Sequence, residues 1–300
     1  MKERVFSGIQ PTGNIHIGNY LGATQHWAAQ QDKYDNIFCI VDLHAITVPQ
    51  DPGVLKAKTR EVTGLLLAAG IDPERSIVFT QSDVSAHAEL AWILNCFTPM
   101  GWMQRMTQFK EKSQNQKEVV SVGLFDYPAL MAADILLYNT DAVPVGDDQK
   151  QHVEITRDIA QRFNSIYGDT FVLPRPEIPD VGARIMGLDD PTIKMSKSEE
   201  ASNHAINLLD SPETIRGKVS RATTDSLREI CFDEGRPGVN NLLVIYELFT
   251  EKSREDIEAH FDGKGYADLK KELAEAVIEG LAPLQKRYQE LTANPAYIDS

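Results

Sequence analysis

Cysteine is scarce in this sequence: Cys39, Cys96 and Cys231 lie far apart, and no two of them form a CxxC pair. Three scattered thiols build neither a disulfide framework nor a cysteine zinc site, and they fit a reducing compartment. Long apolar runs are missing too. The longest, across residues 64–71, falls far short of the ~20 residues a membrane-spanning helix needs. The opening Met1-Lys2-Glu3-Arg4-Val5-Phe6 carries no signal-peptide pattern. A soluble, cytoplasmic protein with no membrane partner is expected. Nor is there a surplus of positive charge: 30 Lys and Arg stand against 44 Asp and Glu, for a net charge of −14. Such a chain is a poor candidate for DNA or for broad binding to nucleic-acid phosphates. One basic island remains, Arg216, Lys218, Arg221 and Arg228, which reads either as a solvated helix face or as a local RNA contact. Finally, the chain contains neither a Walker loop nor a GxGxxG turn.

What is present is an alternation of short apolar runs and longer amphipathic ones. The spacing predicts strands over 5–9, 36–41, 77–80 and 142–145, with helices over 18–34, 54–69, 86–96, 128–138 and 147–166. Strands alternating with helices imply an α/β fold, a doubly wound parallel sheet of Rossmann-like type. Its ligands would bind beyond the carboxyl ends of the strands. Pro174, Pro176, Pro179 and Gly182 then break the periodicity. Beyond residue 198 only helical patterns follow, over 212–222, 239–249, 253–260 and 266–291. The expectation is a catalytic domain at 1–185 and a smaller all-helical domain at 186–300. The chain ends at Ile298-Asp299-Ser300 without a helix stop signal, so a truncated terminus is expected.

Two stretches carry phosphate chemistry. After the first strand comes Gln10-Pro11-Thr12-Gly13-Asn14-Ile15-His16-Ile17-Gly18-Asn19, a turn that leads into a helix. Glycines let the backbone approach a ligand, and a helix amino end favours an anion. His16 and Asn19 are three residues apart and can point the same way. An ordinary strand–helix turn with a satisfied His16 accounts for the pattern equally well. The second stretch, Lys194-Met195-Ser196-Lys197-Ser198, places two compact cations and two hydroxyls on one loop, a set suited to the charge of a leaving pyrophosphate.

Together these stretches resemble the HIGH and KMSKS signatures of the class I aminoacyl-tRNA synthetases. Asn19 replaces the second histidine, an ending that resembles the tryptophan branch of that family. The resemblance implies ATP with Mg²⁺, and a reaction in which an amino-acid carboxylate attacks the α-phosphorus. It assigns Lys194, Lys197, Lys112, His16 and Asn19 to catalysis. ATP binding falls to Gln10, Pro11, Thr12, Gly18, Asn19, Ile185 and the whole 194–198 loop, including Met195, Ser196 and Ser198. Gly146-Asp147-Asp148-Gln149 resembles the family's Gly-x-Asp-Gln, whose Asp, here Asp148, holds the ribose hydroxyls. Unaided, Asp147 or Asp148 reads as a helix N-cap. No dedicated metal cage is recognised, so the triphosphate is expected to carry the ion.

Phe125-Asp126-Tyr127-Pro128-Ala129-Leu130-Met131-Ala132-Ala133-Asp134 points to the amino acid. Pro128 suits a first helical turn, and Tyr127, Met131 and Asp134 share a face. A carboxylate among alanines needs a donor, which a basic side chain elsewhere in the fold could supply. The segment is similar to the helix of the tryptophan branch in which this Asp accepts the indole N–H. Carried over, Tyr127, Met131, Gln149, Phe6, Gly8, His44, Val143 and Val145 surround the ring or its polar end. The implied partners are L-tryptophan, tRNA(Trp) and a second copy of the chain. A tyrosine-specific relative, a tRNA-independent adenylyl transferase and a non-charging paralogue remain the alternatives.

Overall fold

The computed structural model describes residues 2–106, 121–146, 149–177, 184–196 and 203–299. The chain divides into two compact units. The first comprises Met1–Thr12, Gln30–Thr63 and Asp72–Asp180, and the second Gly13–Ala29, Gly64–Ile71 and Val181–Ser300.

The first unit is built on five parallel strands, β1 (Arg4–Ile9), β2 (Asp35–Ile40), β3 (Ile77–Thr80), β4 (Ala142–Pro144) and β5 (Arg175–Glu177), in the order β3-β2-β1-β4-β5. The chain winds outward from β1 to β3 and then returns to the other side of β1. A crevice therefore opens beyond the carboxyl ends of β1 and β4. Five consecutive residues of β2, Asn36 to Ile40, are buried, as expected for a central strand covered on both faces. Phe6, Ile37, Cys39, Val143, Ile135 and Val153 form the core against the sheet. Ala129, Ala132 and Ala133 pack with Leu94, Met103 and Ile159 in a second cluster.

The four expected strands are present, and β5 is an addition. Its prolines read as breakers in the sequence, yet Arg175 N–H donates to Asp141 O at 2.9 Å and Glu177 O accepts from Val145 N–H at 3.0 Å. Pro176 falls between these bonds on an edge strand, where no partner asks for its missing N–H. Two helices also differ from expectation. The one expected over 18–34 is broken into Ile17–Asn19, a π turn at Tyr20–Thr24 and Gln25–Ala29. Beyond it, buried Gln31 accepts from Asp72 N–H and the Ser76 hydroxyl at 2.8 and 3.0 Å, contacts that require the chain to leave the helix. The other, Val122–Leu136, starts earlier than expected because Ser121 caps it, accepting from Leu124 N–H at 3.2 Å. Pro128 lies inside this helix rather than in its first turn.

In the second unit, helices Pro212–Ser220, Pro237–Thr250, Arg254–Phe261 and Tyr266–Thr292 follow the expected spans closely. Their inward stripes, including Leu242, Leu243, Ile257, Phe261, Leu269, Leu273 and Val277, are buried. The unit does not begin at residue 186, as a simple cut of the chain would have it. Ile17 N–H donates to Ile206 O and Leu208 N–H to Ile15 O, both at 2.9 Å, which stitches an early segment to a late one. The basic island is smaller than its sequence suggests: Lys218 is buried against Asp210 at 2.6 Å, and Arg216 is paired with Glu275. Among the described residues, no helix is long and apolar enough to cross a membrane.

Candidate active site

Within the first unit, a cavity of about 340 Å³ opens beyond the ends of β1 and β4. Phe6, Gly8 and Gln10 reach it from β1 and its extension, and Val143, Val145, Gly146 and Gln149 from the β4 side. Tyr127, Met131 and Asp134 come from helix Val122–Leu136, so the face read from their spacing is the face turned to the cavity. His44 closes another side from the short helix Asp42–Ala45. A β-carbon on Gly8 would meet Val41 Cγ1 at 3.3 Å, so a bare backbone keeps that wall open. Tyr127 is anchored by its hydroxyl, 2.8 Å from His152 Nε2.

Asp134 is 1% exposed and is the chemical centre of the wall. Its Oδ1 accepts from Gln81 Nε2 and lies 2.6 Å from both that atom and His87 Nδ1; its Oδ2 lies 2.7 Å from His44 Nε2. Burial by itself pushes a carboxyl up toward its neutral form. Here the hydrogen bonds and charge of His44 and His87 outweigh burial and hold Asp134 below the ordinary carboxylate range. The group is therefore an ionised acceptor at neutral pH. Of the two accounts open in the sequence, a basic partner or a ligand-facing acceptor, the structure contains both: the carboxylate is held by histidines and also lines the cavity.

The second unit contains the other early motif. His16 is buried, and Asn19 Oδ1 accepts from its backbone N–H at 3.2 Å, closing the first helical turn. Gly13 has φ +63°, in the left-handed region that favours glycine. Gly18 lies against Ile185: a β-carbon there would approach Ile185 Cβ to 3.5 Å. Ile185 O in turn accepts from Met195 N–H at 3.0 Å. The early turn and the base of the lysine loop thus share Ile185. Lys194 is exposed, Met195 buried and Ser196 half-buried.

His204 braces the base of this loop, with Nδ1 2.7 Å from Asp189 Oδ1 and Nε2 3.3 Å from Lys194 O. A β-carbon on Gly187 would overlap the His204 ring and stand 2.8 Å from Asp190 O. Gly187→Ala is therefore expected to destabilise the protein by about 1–3 kcal/mol, the usual range for overpacking. Chemical denaturation measures this, and an unchanged midpoint would contradict the packing around His204.

A family profile described as tRNA synthetases class I (W and Y) matches residues 2–282. The chain belongs to the class I tRNA synthetases. Over 299 residues it is 61% identical to a tryptophan–tRNA ligase of Wolinella succinogenes, covering 100% of this chain and 91% of the relative. Among solved structures, a tryptophanyl-tRNA synthetase from Mycoplasma pneumoniae superposes with a TM-score of 0.90 at 38% identity, covering 99% of this chain and 90% of that one. A second, from Campylobacter jejuni in complex with ADP and tryptophan, gives 0.87 at 37% identity, covering 99% and 91%.

As a class I synthetase, the chain carries both signature stretches, but not all of their residues lie among those described. Lys112, Asp147, Asp148, Lys197 and Ser198 fall outside them. Sequence reading missed four groups. Gln81 directly follows β3, so the rule that ligands bind beyond carboxyl ends of strands would have flagged it. His87 had no comparable signal, because it reaches Asp134 only through tertiary packing, and Tyr138 meets His87 in the same way. His204 lies in an irregular segment and was equally silent.

Proposed function

We propose that this chain is a tryptophan–tRNA ligase that reads its amino acid through Asp134. The supporting observation is a cavity in which one buried, ionised carboxylate is the acceptor beside apolar and aromatic walls. Indole is a donor only, so it needs an acceptor and nothing more. A phenol hydroxyl also needs a donor for its lone pairs, and the donors around Asp134 are already committed to it.

In the first step a carboxylate oxygen of tryptophan attacks the α-phosphorus of ATP. That bond forms as the bond to the bridging oxygen breaks, and pyrophosphate leaves with the charge. No proton moves, so positioning and electrostatics carry the step. In the second step a ribose hydroxyl of tRNA(Trp) attacks the activated carbonyl: the ester bond forms as the bond from carbonyl carbon to phosphate oxygen breaks, AMP leaves, and the hydroxyl proton passes to the phosphate or to solvent. Tyr127, Met131, Phe6, Gly8, Val143 and Val145 enclose the ring, with His44 and Gln149 toward its polar side. His16, Gly18 and Asn19, with Gln10, Pro11 and Thr12, hold the phosphates through side-chain donors and bare backbone. Ile185 supports the adenine, and Gly146, Asp147 and Asp148 the ribose. Lys194, Lys197 and Lys112 meet the charge on the leaving pyrophosphate, with Met195, Ser196 and Ser198 shaping their loop.

Magnesium enters as the triphosphate's own counter-ion. The helices from Pro212–Ser220 to Tyr266–Thr292 form the tRNA-side part in this reading. Pairing with a second copy is part of the proposal, and Trp92, 72% exposed beside exposed Ile93, offers apolar surface for it. The reaction belongs in the cytoplasm, a reducing compartment that suits three free cysteines.

Amino-acid-dependent exchange between ATP and pyrophosphate tests the reading. Tryptophan is expected to support exchange at least about 10³-fold better than tyrosine or phenylalanine, as expected of a site built to hydrogen-bond its substrate. Comparable exchange with tyrosine, or failure to charge tRNA(Trp), would overturn it.

A further inference from the structure

Three donors share the two oxygens of Asp134. Each carboxylate oxygen offers two lone-pair directions. Oδ1 receives two donors, Gln81 Nε2 and His87 Nδ1, each at 2.6 Å. Oδ2 receives one, His44 Nε2 at 2.7 Å, and His44 itself lines the cavity. One lone pair of Oδ2 is thus left for a ligand, while Oδ1 is filled from inside the protein.

The inner donors are themselves fixed. His87 is fully buried, and its Nε2 lies 2.8 Å from the Tyr138 hydroxyl. The ring is thus held at both nitrogens, by the carboxylate and by the Tyr138 hydroxyl. Burial, together with neighbouring Cys39 and Asp134, pushes Tyr138 up to about 12, which keeps the phenol protonated at any working pH. Gln81 is equally constrained. Its Nε2 donates to Asp134 while its Oε1 accepts from Leu43 N–H at 3.1 Å, so an amide flip would break both bonds.

We propose that His87, set by Tyr138, is a specificity-determining positioning residue: with Gln81 it fills Oδ1 of Asp134, so that Oδ2 alone, fixed in direction, reads the ring N–H of the substrate. The inference rests on the reading of Asp134 as the indole acceptor and deepens it. His87 touches no substrate; it acts through Asp134. Around that carboxylate the titratable groups are His44 from the Asp42–Ala45 turn, His87 from the Ala86–Asn95 helix, Tyr138 behind His87, and Cys39 from β2, whose thiol burial pushes up. Removing the His87 donor leaves burial less opposed, so the carboxyl moves toward its neutral form. A neutral carboxyl presents a hydrogen of its own and meets the indole N–H less well.

The test measures KM for tryptophan and for ATP in the exchange reaction from pH 5.5 to 8.5, in the full chain and in three variants. For His87→Leu, KM for tryptophan is expected to rise about 10- to 100-fold, the range for losing a hydrogen bond to a charged group. It should climb further as pH falls, while KM for ATP stays within about twofold and the unaltered chain has a flat profile. In His87→Asn the side-chain amide can stand where Nδ1 stood, so most of the loss should be recovered. Tyr138→Phe removes only the outer hydrogen bond and should shift the tryptophan KM in the same direction by about 3- to 10-fold. It carries the test alone should His87→Leu fail to fold. Equal rises in both KM values, or an unchanged pH profile, would overturn the proposal.

A tryptophan analogue with sulfur in place of the ring N–H, β-(benzothiophen-3-yl)alanine, separates the two readings. If the unaltered chain does not distinguish it from tryptophan, Asp134 is not the reader, and both readings fall. If the unaltered chain distinguishes the two and both His87→Leu and Tyr138→Phe do so equally well at every pH, only the positioning role falls.

Discussion

Replacing Asp134 by alanine is expected to lower kcat/KM for tryptophan by about 10⁴-fold, the penalty a hydrogen-bonding site imposes when a buried partner is lost. Two losses combine. The indole N–H enters a cavity with no acceptor, and Gln81, His87 and His44, now 2.6–2.7 Å from the carboxylate, are left facing one another. Leaving buried partners unpaired is also expected to destabilise the fold by about 3–5 kcal/mol. Circular dichroism and denaturation must therefore accompany the kinetics. Asp134→Asn is a sharper comparison, because it preserves volume but puts an NH₂ where an acceptor was needed. A folded Asp134→Ala enzyme that kept its full preference for tryptophan over phenylalanine would remove Asp134 from substrate recognition.

Alanine at Lys197 is expected to slow activation by about 10²- to 10³-fold, the loss seen when one preorganised group that stabilises transition-state charge is removed. KM for ATP should change much less. Pyrophosphate gains negative charge as it leaves, so a cation facing it is used mainly in the transition state. Lys194→Ala should behave similarly. The Lys194 side chain is exposed while its carbonyl is braced by His204, so the cation is free at the end of an anchored backbone. On the proposed reading both cations meet the same developing charge, so the double variant should lose less than the product of the single losses. Single-turnover measurements of adenylate formation separate the two effects. Proportionate losses in ATP affinity and rate would reassign the lysines to ground-state binding.

Particular residues show why some of this was legible early. The four strands rest on short apolar runs bounded by turns, and β2 keeps that character because both its faces are covered. Tyr127, Met131 and Asp134 were placed on one face by helical spacing alone, and that face does line the cavity. Pro176 misled because proline disqualifies a central strand but not an edge one. Lys218 misled because charge in a sequence carries no label for burial, and its ammonium is taken up by Asp210.

What the sequence determined by itself was a set of motifs: a glycine-bearing turn, a lysine loop, and one carboxylate on an apolar helix face. These depend on residue type and local spacing, which are written in the chain. Only the tertiary structure decided how they are held. Gln81 and His87 meet Asp134 from across 53 and 47 residues of chain, and Tyr138 meets His87 from across 51. Likewise, Ile15 and Ile17 are bonded to Leu208 and Ile206, which joins segments that are distant in sequence. Hydrogen bonds act over about 3 Å whatever the separation along the chain, so a local pattern can name the reacting groups but not the partners that orient them.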